Sequence, residues 1–290
     1  MKTTAFLFRL TCLLMVFGTA ILFTNCEKEH LSEEEYILEQ ESEIVSNELT
    51  KDEYLTKIQK DSLREKGFDF PIDFDWCSYV PNLSGYYYGN DGGHYYFRQI
   101  GNQLYWFGEH PSGFWSNVFK GTISGKTITG TFYDVPKGGI QGQGSLTLYI
   151  GCFGLTISKT SGNQFGGSLW TKTSKPANLP LPRSAGFGTV NDENDITGRW
   201  IGDDGGVYYI REYGNMVVWF GERFFISGQP SWSNIAWGSR FYSQLWLDWA
   251  DVPKGSANSS GILRGFVEGP DYITLGHNTG GFGGTRLWRY

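Results

Sequence analysis

Hydrophobic and polar positions alternate with a period of two over short runs, and Gly, Asn and Asp break the runs apart. That is the pattern of half-buried strands joined by tight turns. In HYYFRQI, from His94, alternation puts Tyr95, Phe97 and Gln99 on one face and Tyr96, Arg98 and Ile100 on the other. Gly101-Asn102 separates this run from QLYWFGE, as a two-residue loop does in a hairpin. NVFKGTI and TITGTFYDV flank Ser124-Gly125-Lys126, GSLTLYI and LTISKT flank GCFG, SGYYYG opens the set and GSLWTK closes it. About eight strands in chain order with hairpin connections predict an antiparallel up-and-down barrel, which leaves no free edge; a flattened sandwich is the alternative. Both faces of several strands carry large rings. One face fills a core, and the other needs either a packing partner or a ligand.

The whole pattern occurs twice. SGYYYGNDGGHYYFRQIGNQLYWFGE, from Ser84, answers TGRWIGDDGGVYYIREYGNMVVWFGE, from Thr197. Asp91-Gly92-Gly93 pairs with Asp204-Gly205-Gly206, Arg98 with Arg211, Trp106 with Trp219, and Trp115-Ser116-Asn117 with Trp232-Ser233-Asn234. DVPKG stands at Asp134 to Gly138 and again at Asp251 to Gly255, and Phe165-Gly166-Gly167 matches Phe282-Gly283-Gly284. Such repetition is a duplication, and the fold expected is all-β with two tandem antiparallel repeats. Repeat 1 covers 81–172 and repeat 2 covers 196–290. The linker between them, 173–195, holds Pro176, Pro180 and Pro182 and suits a semi-rigid extended segment.

Ahead of the repeats, Lys2 and Arg9 precede an apolar run from Leu10 to Phe23 that is short for a membrane span. This reads as a signal peptide over 1–25. Leu22-Phe23-Thr24-Asn25-Cys26, followed by Glu27-Lys28-Glu29, resembles the lipobox of bacterial lipoproteins. The resemblance implies lipidation of Cys26 and attachment to the outer membrane of a bacterial cell envelope, on either its periplasmic or its external face. The acidic stretch 26–80 is then a stalk, helical or disordered, with capping boxes at Ser32/Glu35 and Thr50/Glu53. In the second repeat, ITGRWIGDDGG is similar to the first strand of avidin-type and lipocalin-type barrels, which are also eight-stranded cups. That likeness implies a barrel and no particular ligand.

Composition narrows the chemistry. Aromatics make up 17% of the chain and the formal charge is −6 with no Lys/Arg block, which excludes phosphate-neutralising contacts and hence nucleic acid as a partner. His94 is answered by Val207, and His110 and His277 fall outside the matched motifs, so no shared metal site or cofactor is expected. Export leaves Cys77 and Cys152 either paired as a disulfide or as two separate thiols. Rings beside hydrogen-bonding groups suit a carbohydrate or another small ligand. Ligand-binding candidates are therefore Trp106, Trp115, Trp219 and Trp232 with Arg98, Arg211, Asn117 and Asn234. Each Arg, mid-strand, needs a carboxylate or a ring face. A glycoside hydrolase would need paired carboxylates, for which Glu109, Asp134, Glu222 and Asp251 are the repeated ones. A structural or protein-interaction surface module is the third reading. DVPKG itself has the composition of a strand-ending turn, in which only the Asp is not strictly required.

Overall fold

The computed structural model describes Cys77 and residues 79–187, 194–224 and 230–290. The signal segment, Cys26 and the stalk helices expected from the sequence lie outside these residues. Two closed antiparallel barrels of eight strands follow one another. The first comprises β1 (Gly85–Gly89), β2 (His94–Ile100), β3 (Gln103–Glu109), β4 (Ser116–Ser124), β5 (Thr127–Asp134), β6 (Gln143–Ile150), β7 (Thr156–Ser161) and β8 (Leu169–Lys172). The second comprises β9 (Gly198–Gly202), β10 (Val207–Tyr213), β11 (Met216–Phe224), β12 (Pro230–Phe241), β13 (Gln244–Asp251), β14 (Ser260–Gly269), β15 (Tyr272–Asn278) and β16 (Arg286–Arg289). Within each barrel every strand pairs with its sequence neighbours, and β1 with β8 and β9 with β16 close the two circles. The barrel alternative is therefore the observed one, and the sandwich is not.

Alternation along the strands decides what lies inside. Tyr95 and Phe97 of β2 and Leu104 and Trp106 of β3 point into the first barrel with Phe119, Phe132, Phe165 and Trp170. The Trp106 ring stacks on Phe119 at 3.9 Å and on Phe97 at 5.0 Å. The interior is thus packed with rings in place of open volume, as small barrels require. Trp200, Tyr208, Trp219, Trp249 and Phe282 fill the second barrel in the same way.

The second set of rings, facing outward, packs barrel on barrel. Tyr86, Tyr96, Phe107 and Val118 of the first meet Tyr209, Val218, Phe220, Ile235 and Trp237 of the second in one buried cluster. Phe107 and Phe220, which follow the two repeated tryptophans, stack on each other with centroids 3.4 Å apart. The linker joins this interface: Leu179 is buried in the cluster, Arg183 exchanges backbone bonds with the Tyr209 hydroxyl, and the Gly186 N–H donates to the Pro136 carbonyl. Cys77 and Cys152 form a disulfide that ties the segment before β1 to the turn after β6.

Candidate functional site

The sequence signatures shared by the repeats gather at one end of each barrel, in the turns β1–β2, β3–β4, β5–β6 and β7–β8. Each residue of Asp-Gly-Gly has its own task there. Asp91 accepts from the Tyr95 hydroxyl at 2.6 Å and from the Gly93 N–H at 3.1 Å, and Asp204 does the same for Tyr208 and Gly206 at 2.6 and 2.9 Å. Gly92 and Gly205 adopt φ of 77° and 76°, which a side chain disfavours. Gly93 and Gly206 lie under the Trp115 and Trp232 rings, and a Cβ on either would come within 2.3 Å of a ring carbon. The motif thus seats a tryptophan over the barrel end.

Beneath that tryptophan the first barrel holds a cavity of about 250 Å³. Trp115, Phe132 and Phe165 supply flat apolar wall, and Asn117, Asp134 and Asp91 supply polar groups. The orientation of Asn117 follows from its neighbour: the Trp106 indole can only donate, so Oδ1 accepts at 2.8 Å and the amide NH₂ is left to donate elsewhere. Asn234 takes the same bond from Trp219 at 3.0 Å. Asp134 accepts from the Gly142 N–H at 2.6 Å. Burial pushes its carboxyl up to about 7, against the opposing pull of that N–H and of Arg211. Near neutral pH it can therefore accept or donate a hydrogen bond. Asp251 is pushed up to about 6 by burial, with the Ser259 N–H and the Arg98 charge opposing.

Of the sequence-derived candidates, Trp115, Asn117 and Asp134 come together at this cavity. Trp106 and Trp219 lie in the packed interiors, one layer below, where they position the asparagines. Arg211 leaves its own barrel and reaches the other: its guanidinium donates to the Asp134 carbonyl at 3.0 Å and to the Gly142 carbonyl. It thereby holds the β5–β6 turn that forms one wall of the cavity. Trp232, Asn234 and Asp251 occupy the same stations at the second barrel's end, but the surroundings differ. Trp249 stands where the first barrel has Phe132, its indole bonded to the Thr279 carbonyl at 3.0 Å. The rim residues Phe114, Ile140 and Gln164 are answered by Ser231, Ala257 and Gly281. Wall and rim thus carry different side chains at the two ends, a larger ring inside and smaller residues at the rim of the second.

Glu109 and Glu222 lie away from the cavity, between the barrels, in a closed ring of charge. Lys137 contacts Glu109 at 2.7 Å and Glu222 at 2.6 Å, and Lys254 contacts the same two at 2.7 and 2.6 Å. All four side chains are 2% exposed or less. Burial alone would raise Glu109, but the two ammonium groups outweigh it and hold the carboxyl below its usual range. Lys137 and Lys254 are the lysines of the two DVPKG turns, so the repeated turn carries an interface cation that turn chemistry does not call for. Sequence reading passed over them, although a Glu repeated without a cation and a Lys repeated without a reason were both visible. The Asp-Gly-Gly aspartates and Phe165 were likewise legible as repeats but not as cavity wall, and Phe132, answered by Trp249, is not a repeat at all. Among the described residues no cluster of three His, Cys, Asp or Glu groups has the arrangement of a metal site. No known protein family, curated protein or solved structure matches this chain, so its site is defined by its own chemistry.

Proposed function

We propose that the first barrel end binds a carbohydrate, one sugar ring at a time. What supports this is the convergence of Trp115, Phe132 and Phe165 with Asn117, Asp91 and Asp134 around one small cavity. A sugar presents C–H faces to rings and hydroxyls that donate and accept, and both demands are met within one layer of side chains. The volume lies just under the usual range of about 300–1,000 Å³ for small-molecule sites, which favours a single ring over a chain. The second barrel end, where Trp249 replaces Phe132 and Gly281 replaces Gln164, serves as the structural partner. The carbohydrate would be met at the bacterial envelope, where the lipobox-like Cys26 anchors the chain to the outer membrane.

Tryptophan-fluorescence titration of the exported part with mono- and oligosaccharides tests the reading. A saturable response is expected, weakened about tenfold or more by Trp115→Ala, as loss of an aromatic anchor costs about 2 kcal/mol. The reading is abandoned if no sugar gives a response, or if Trp232→Ala weakens binding as much as Trp115→Ala. Metabolic labelling with a radioactive fatty acid tests the anchor, since Cys26→Ser must abolish incorporation.

A further inference from the structure

The barrels diverge on the outward face formed by the β12–β13 turn and the β13–β14 pair. Both barrels need a left-handed residue in this turn. The first uses Gly125, at φ 56°, and the second uses Tyr242, at φ 55°. A tyrosine there works against its own Cβ, yet its ring packs on nothing, being 97% exposed. Phe241 beside it is 55% exposed, where the first barrel has Ser124. On the strands, Trp246 pairs with Arg264 and Gln244 with Phe266. The matching pairs of the first barrel are Thr129 with Thr147 and Thr127 with Tyr149. Trp246 and Phe266 are 51% and 46% exposed.

The Trp246 ring is held in place. The Arg264 guanidinium sits 4.8 Å from the Trp246 centroid and is itself fixed by bonds to the Leu247 and Leu263 carbonyls. The Trp246 indole donates to Gln244 at 3.2 Å. One side of the indole is thus backed by a cation and the other is open. Polar groups are interleaved on the same face: Gln244 and Asp248 flank Trp246 along β13, and Glu268 lies two residues beyond Phe266 on β14. Asp248 pairs with Lys120 at 3.4 Å and Glu268 accepts from the Thr274 hydroxyl at 2.9 Å, so a lipid surface covering these rings would have to strip the remaining water from an ion pair and a carboxylate, which is costly. A glycan chain would use them, its hydroxyls meeting the carboxylates and the amide while its rings lie on Trp246 and Phe266.

We infer that this face of the second barrel is a carbohydrate-binding surface of its own, for an extended glycan chain lying across Tyr242, Trp246 and Phe266. It rests on residues separate from the first barrel's cavity. Depletion of the full exported chain by insoluble cellulose, chitin and purified peptidoglycan reads it directly. At least one of these should retain the protein, and Trp246→Ala should weaken retention at least tenfold while any sugar response at the first barrel's cavity is unchanged. Tyr242→Gly, which copies the first barrel's own turn, should weaken retention while raising the melting temperature, so loss of folding cannot mimic loss of binding. The inference is overturned if none of the three glycans retains the protein, or if both variants bind as well as the parent. It is equally overturned if the face instead drives sedimentation with phosphatidylglycerol vesicles, or a self-association that Trp246→Ala dissolves.

Discussion

Removing one ammonium group from the ring between the barrels should be among the most damaging single changes available in this protein. Lys254→Met takes away two contacts, of 2.7 and 2.6 Å, to Glu109 and Glu222. At an effective dielectric near 20 each contact of this length is worth about 6 kcal/mol. Against that loss stand the relieved repulsion between the two ammonium groups and several kcal/mol of desolvation that Lys254 no longer suffers. The net cost should be about 3–5 kcal/mol, because two buried carboxylates are left sharing one cation. Pairing the change with Glu222→Gln restores neutrality and leaves Lys137 with Glu109 at 2.7 Å. The double variant should then recover at least about half of the Lys254→Met loss, which, with the cost of Glu222→Gln alone added, makes the coupling at least about 2 kcal/mol. Urea unfolding of parent, both single variants and the double variant closes the cycle. If Lys254→Met unfolds at the parent's midpoint, or the two changes simply add, the ring is not the electrostatic unit its geometry describes.

Two further outcomes follow from buried groups and from the cross-link. Asp134 and Asp251 have folded-state values raised to about 7 and about 6 from 3.8, so their contribution is complete in acid and is lost as pH rises through that interval. Relative to Asp134→Asn, the parent should therefore lose about 2–4 kcal/mol between pH 4 and pH 8. Melting curves across that range check the difference, and parallel curves would show that burial does not hold the proton. Reducing the Cys77–Cys152 bond opens a loop of 75 residues and should cost about 4 kcal/mol, seen as a lower melting temperature in dithiothreitol. An unchanged melting temperature with both thiols shown free would refute it.

Strand order and barrel closure were legible because hairpin turns and period-two alternation are local, and because the chain states them twice. Alternation also said correctly that Tyr96 and Tyr95 face opposite ways. It could not say what lies against the outer face, since Phe107 meets Phe220 across 113 residues of sequence by contact between sheets, with no shared hydrogen-bond ladder. The two tryptophans of each copy show the same limit. Trp106 falls in phase with Leu104 inside the barrel, whereas Trp115 sits at a strand's start, where its place depends on Gly93 beneath it. The lysines of DVPKG were hidden for another reason: a turn residue is normally solvated, and only the apposition of two turns buries these.

The interface has a consequence for how the two halves can change. It is isologous in form, each Glu and each Lys meeting its own counterpart's partners, as in a twofold dimer. In a true homodimer every substitution appears on both sides at once, so a cavity cannot be filled in one subunit and kept open in the other. Joining the copies in one chain removes that constraint. The first copy can keep Phe132 and Gly125 where the second carries Trp249 and Tyr242, while the shared seam of Phe107, Phe220 and the four charges remains self-complementary.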